Sequence, residues 1–283
     1  MKFIFSILKG CVMGVANIIP GVSGGTMAVS MGIYDDIISA ITHLFKQFKK
    51  SVLTLLPYFI GMAASLVGLS YVIEQSLKNY NLQTNFLFIG LILGGLPVLL
   101  SRFKGKKVGV GCGVAFVIAF AAIIGLQLLG GGNNVIEIKI NAIEVIKLFF
   151  IGVIASATMV VPGVSGSMIL MILGYYEPIL SEVNKFVAAL KGFDIPAMMD
   201  GAMILVPFGL GVVIGIFAIA KIIEFLLREY EAITFSAILG LVVASPFAIF
   251  MQTTLPKLNV GNISVSVVTF VIGFVIAYFL GRE

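Results

Sequence analysis

From Gly10 to Tyr34 there is no charged residue, and from Leu148 to Tyr176 there is none either. Such stretches would be expected to run as unbroken apolar helices. Each instead carries Pro-Gly-Val-Ser-Gly, at 20–24 and again at 162–166. Proline removes an N–H donor and its ring collides with the preceding helical turn. The glycines open backbone angles closed to other residues. Both segments therefore break in an apolar setting, where the freed N–H and C=O groups must find partners. The tip of each break is predicted to be a re-entrant hairpin near the membrane midplane, with arms of about 16–17 residues. Two full spans joined by an apolar turn are the alternative.

Composition supports a membrane setting. Hydrophobic residues make up 60% of the 283 and charged residues 11%, against about 25% charged in a soluble domain. No P-loop, H-E-x-x-H or Cys/His metal set occurs, so neither a cofactor nor a metal is expected. Cys11 and Cys112 lie in apolar runs and read as buried small residues. The basic, then apolar, start shows no small-x-small cleavage site and is expected to stay in the mature chain. The charge of +5 reads as a topology signal, not a nucleic-acid surface.

The two motifs superpose at an offset of 142, pairing Gly10 with Gly152, Ser23 with Ser165, Gly32 with Gly174 and Tyr34 with Tyr176. The match resumes at an offset of 150, pairing Pro57 with Pro207, Gly61 with Gly211, Glu74 with Glu224 and Gly90 with Gly240. Eight extra residues fall around 185–200, where a loop is expected. The chain reads as an internal duplication, 1–137 and 138–283. After each broken segment (3–41 and 148–181) come three apolar runs, 52–73, 85–101 and 108–129, then 203–223, 234–251 and 263–281. The expected fold is an all-α polytopic membrane protein of two inverted-topology repeats, each a broken re-entrant hairpin plus three transmembrane helices.

Lys2, Lys9, Lys46, Lys49, Lys50 and the Arg102–Lys107 cluster place those flanks in the cytoplasm. Loop 74–84 and the stretch near 130–141 then fall outside. The second half enters inverted, its acidic segment 182–202 lies outside, and loop 224–233 and both termini are cytoplasmic.

At the tips, Ser23 and Ser165 are expected to cap the following half-helices. Backbone N–H groups and the hydroxyls of Ser23, Thr26, Ser165 and Ser167 could bind a phosphate or carboxylate without a formal positive charge. The bland alternative is that Gly and Ser only let helices approach. Asp35, Asp36 and Glu177 close the hairpins, and Glu74 and Glu224 end the next spans. These five are candidates for coupling to a proton or sodium ion, against a plain role as solvated helix-end carboxylates. His43 and Tyr34/Tyr176 read as interfacial residues.

The doubled stretch "NIIPGVSGGTMAVSMGIYD" and "PGVSGS…LGYYE" resembles the bacterial and archaeal polyprenyl-phosphate transporters along essentially the whole chain. That resemblance implies a bacterial cytoplasmic-membrane protein translocating undecaprenyl phosphate, the C55 carrier lipid, from the outer to the inner leaflet for reuse in envelope synthesis. It assigns Asn17, Pro20, Gly21, Ser23, Gly24, Gly25 and Thr26, with Pro162, Gly163, Ser165, Gly166 and Ser167, to the phosphate. Arg102 or Lys106 could attract the anionic head. Membrane lipids are the other partners, and no enzyme activity is expected. Undecaprenyl-pyrophosphate phosphatases share a similar loop, but they place an Arg where Gly24 and Gly166 stand here, which favours binding without cleavage. An ion-coupled carrier of small organic anions is the third reading.

Overall fold

A computed structural model describes residues 2–18, 22–129, 136, 138, 141–253 and 259–282. Its described residues form thirteen helices: α1 (Lys2–Ile18), α2 (Gly24–Ser30), α3 (Tyr34–Thr42), α4 (Phe48–Asn79), α5 (Asn81–Gly94), α6 (Leu96–Ser101), α7 (Val110–Leu129), α8 (Ala142–Val160), α9 (Gly166–Ile172), α10 (Tyr176–Gly192), α11 (Ile195–Glu229), α12 (Glu231–Gln252) and α13 (Val260–Leu280). Seven segments are long and apolar enough to cross a membrane: α4, α5 with α6, α7, α8, α11, α12 and α13. The protein is an all-helical, multi-pass membrane protein. Pro20, Gly21, Glu137, Lys139 and Lys257 lie outside the described residues.

The helices that follow the two breaks are shorter than the expected arms. α2 and α9 have 7 residues each, about 10 Å at 1.5 Å per residue, a third of the hydrocarbon thickness. Glycine ends both in the same way. At Gly32 (φ 69°) the N–H donates to Val29 O while Ile33 N–H donates to Ala28 O; at Gly174 (φ 77°) the N–H donates to Met171 O while Tyr175 N–H donates to Leu170 O. Each pair satisfies the last carbonyls of a two-turn helix with no water needed. The eight extra residues of the second half lengthen a helix rather than a loop: α10 has 17 residues where α3 has 9.

The chain packs as two compact units. One comprises Met1–Gln127, Val161–Val164 and Ala220–Glu283, the other Leu128–Val160 and Ser165–Ile219. In the first unit α1 lies against α4 so closely that a Cβ on Gly10 would run into the Tyr58 carbonyl, and one on Gly61 into the Ile7 carbonyl. Within the second unit Gly152 meets the Phe208 carbonyl and Gly211 the Phe149 carbonyl. Gly14 faces the Ser65 hydroxyl in the first unit; in the second the roles are exchanged, and Gly215 faces the Ser156 hydroxyl. Without a hydrophobic force between helices in lipid, such backbone approach is what van der Waals packing requires. α5 and α13 use it too: Gly90 meets the Phe270 carbonyl and Gly273 the Leu87 carbonyl.

The first unit holds ion pairs and amide contacts between its helices. His43, Arg102 and Lys106 meet Glu224, Asp35 and Glu231, respectively. Elsewhere in the unit Asn85 donates to Thr253, Gln83 to Asn262 and Gln252 to Gln127.

Candidate functional site

The first motif builds a closed polar knot. Ser23 stands before α2 in an extended conformation (φ −122°, ψ 149°), and its Oγ accepts the Thr26 N–H at 3.2 Å. The Ser23 and Thr26 hydroxyls are 3.0 Å apart. Asn17, at the end of α1, accepts the Gly24 N–H on Oδ1 at 2.8 Å. Thr26 is wholly buried, and its Oγ1 accepts the N–H of Gly163, from the second motif, at 2.7 Å. Gly163 has φ 83° and lies against the Leu241 carbonyl. Residues Val161–Val164 belong to the first unit, so the contact from α2 to the second Pro-Gly-Val-Ser-Gly lies within that unit. The sequence brings these residues together because both copies are broken by Pro and Gly and neither break can be left unpaired in lipid.

In the second unit, Ser165 takes the capping position (φ −97°, ψ 130°) but forms no side-chain cap. Its Oγ lies 2.7 Å from Ser167 Oγ instead. Gly166 packs against Ala155 O, Met159 and Thr158. Where the first motif has Asn17, the corresponding residue at an offset of 142 is Met159, which has no oxygen to offer the α9 amides. The expected capping role therefore holds for Ser23 and not for Ser165.

The carboxylates differ from one another. Asp35 Oδ2 pairs with Arg102 at 2.8 Å, while its Oδ1 is buried with no hydrogen-bond partner. α3 is not one of the candidate spans. Burial raises the Asp35 pKa, and Arg102 opposes that rise. Arg102 and Lys106 both lie over the Phe235 ring, at 5.3 and 5.8 Å, and Lys106 pairs with Glu231. These two cations are engaged with protein groups. Glu224 faces His43 at 3.3 Å, and His43 is half-buried. Glu74 forms an exposed pair with Lys78 at 2.6 Å. Asp36 and Glu177 are exposed. The described residues hold no group of three or more His, Cys, Asp or Glu suited to a metal.

Three features escape a linear reading. Lys9, expected as a flank charge, is buried, and its Nζ donates to Met31 O at 3.4 Å, at the end of α2. Its place inside an apolar helix, a full turn and more past Lys2 at the helix start, was the available signal. Glu144 is buried in the second unit, accepting Tyr175 OH at 2.8 Å and Lys147 at 3.1 Å. Ser51 is 3% exposed at the start of α4, and no sequence pattern marks it.

No solved structure matches the chain. A polyprenyl-phosphate transporter of Staphylococcus aureus is 35% identical over 281 residues, covering 98% of this chain and 95% of the relative. A polyprenyl-phosphate transporter of Vibrio cholerae serotype O1 is 30% identical over 272 residues, covering 91% and 78%. A family model described as undecaprenyl phosphate translocase-like matches residues 13–265. With that match over most of its length, and its broken apolar segments in the matched region, the chain belongs to the undecaprenyl phosphate translocase-like family.

Proposed function

We propose that this protein translocates undecaprenyl phosphate from the outer to the inner leaflet of the bacterial cytoplasmic membrane, by alternating access of two inverted repeats, 1–137 and 138–283. The observation that carries the reading is the buried hydrogen bond from Gly163 to Thr26, which joins the two duplicated tips. The recurring glycine contacts and identical α2 and α9 endings support the duplication. The names of the relatives support the substrate.

The phosphate head binds at the first tip, on Ser23, Gly24, Gly25 and Thr26. Asn17 Oδ1 holds the Gly24 N–H as a neutral stand-in, and a phosphate oxygen, being charged, is the stronger acceptor and replaces it. With Thr26 Oγ1 donating to Ser23, the hydrogen of Ser23 is left for the ligand. Pro20, Gly21 and Pro162 shape the breaks. Ser165, Gly166 and Ser167 follow Gly163 in the chain and are the second set of donors. The prenyl tail stays in lipid. Both termini and the His43, Arg102, Lys106, Glu224 and Glu231 set face the cytoplasm. Asp35, Asp36, Glu177, Glu74 and Glu224 remain the candidates for coupling to protons or sodium ions, with Asp35 favoured by its buried, unpartnered oxygen.

Purified protein in liposomes holding undecaprenyl phosphate tests this. An impermeant phosphate-binding probe measures how fast the inner-leaflet lipid becomes reachable. Wild type should equilibrate the leaflets, and Ser23→Ala with Ser165→Ala should slow it. Absence of flipping, with and without imposed proton and sodium gradients, refutes the proposal. Phosphate release from the pyrophosphate lipid would favour the phosphatase reading instead.

A further inference from the structure

A second polar cavity lies away from the tips, between α3 and the start of α4. It has a volume of 220 Å³ and is lined by Asp36, Ser39, Ala40, His43, Gln47, Lys50, Ser51 and Thr54. Ser51 lines this cavity while 3% exposed, and its hydroxyl bonds to no described residue. The hydroxyls of Ser39 and Thr54 and the ammonium of Lys50 are likewise uncommitted. The place of Ser51 in the cavity lining leaves its hydroxyl open to a ligand acceptor. The first-turn amides of α4, a helix of 32 residues, add positive potential at the same end. Gln47 stands at the N-cap without a side-chain cap bond, so those amides are not already occupied by it.

From this geometry we infer that the α3–α4 cavity is a binding site for a phosphate monoester dianion, separate from the tip site. Lys50 supplies the charge and Ser39, Ser51 and Thr54 supply hydroxyl donors. His43 offers an imidazole, whose Nδ1 is shared with Ser39 O at 3.0 Å and Glu224 at 3.3 Å. Asp36 and Glu224 are the opposing charges, so the site holds the anion loosely enough to let it go. Its residues lie beside the basic Lys46–Lys50 run, the side assigned to the cytoplasm, which makes it a station for the head on arrival in the inner leaflet or a sensor of free phosphate. The lipid version of the site rests on the transport proposal.

The chain has no tryptophan, so Phe48→Trp, at an exposed position beside the cavity, is a unique reporter. Full-length protein carrying it is placed in nanodiscs of zwitterionic lipid and titrated with inorganic phosphate at constant ionic strength, or placed in nanodiscs containing undecaprenyl phosphate. A saturable emission change with inorganic phosphate identifies a soluble source; a change only with the lipid identifies the head group. Either supports the site. Lys50→Gln with Ser51→Ala should weaken the response about tenfold or more, the loss expected for a charge-assisted contact. Asp36→Asn should strengthen it about threefold, by removing a like charge. Thermal melts confirm that each variant is folded. No saturable response to either ligand, or an unchanged response in the Lys50/Ser51 variant, overturns the inference, as does loss of the response in Ser23→Ala. A normal response in protein that does not flip lipid leaves this site standing and refutes the transport reading alone.

Discussion

Replacing Thr26 by Val is the sharpest test of the contact between the tips. Valine keeps the shape and removes Oγ1, the acceptor of Gly163 N–H at 2.7 Å and the partner of Ser23 Oγ at 3.0 Å. Thr26 is wholly buried and Gly163 is buried, so water cannot replace the lost acceptor. A buried donor stripped of its partner costs about 1–3 kcal/mol. Two kcal/mol is about a 30-fold change in the folded-to-unfolded ratio. Ser23 still accepts the Thr26 backbone N–H, so α2 keeps its cap and the loss is confined to the tip contact. The assay is reversible unfolding in mixed micelles, with Thr26→Ser as the control. Serine retains the hydroxyl and loses one methyl, about 1 kcal/mol or less. Valine should therefore be the worse of the two in stability and in lipid flipping. Equal behaviour of the Val and Ser variants would show that the hydroxyl does not hold the tips together.

Ser23→Ala should cost about 1 kcal/mol through loss of its N-cap bond, while Ser165→Ala, whose hydroxyl caps nothing, should leave the melting temperature within a degree or two; a transport defect in the latter then reports on ligand contact. Gly14→Ser should destabilise by about 1–3 kcal/mol by overpacking against Ser65 and Met62, and adding Ser65→Gly, which copies the Ser156–Gly215 arrangement, should restore at least half of the loss in a melt. Burial raises the Asp35 pKa above its unfolded value, so ionised Asp35 works against the fold. Stability from this group rises as pH falls through the folded pKa toward the unfolded one. Arg102→Ala removes the opposing cation and should move Asp35 protonation to higher pH, seen as the carboxylic C=O band in infrared difference spectra; a band moving to lower pH would refute this.

Much of the architecture was legible because lipid imposes simple rules. Apolar runs of sufficient length become helices long enough to span, and the duplicated Pro-Gly-Val-Ser-Gly separates helices in both places. The runs at 52–73, 108–129 and 234–251 appear as α4, α7 and α12; α4 and α12 extend beyond the expected bounds at both ends, and α7 starts two residues later. The expected long returning arms did not appear. Gly32 and Gly174 look like ordinary helix glycines in a linear reading, and only the positive φ and paired carbonyl bonds reveal them as stops. Ser23 and Ser165 are identical in the sequence pattern, yet Ser23 bonds to Thr26 while Ser165 bonds to the Ser167 hydroxyl.

The sequence by itself therefore determined the class of solvent, the number of apolar segments, the places where helices must break and the near-equivalence of the two halves. Each follows from local chemistry: transfer of side chains to hydrocarbon, missing N–H donors and backbone freedom. The tertiary structure decided which broken ends meet, that Thr26 accepts from Gly163 137 residues away, that Lys9 turns inward to a carbonyl, and that Arg102 is held by Asp35 instead of standing free. Those outcomes depend on which donors remain unsatisfied once helices have packed, and that balance exists only after distant segments are brought together in a medium with no water to take up the remainder.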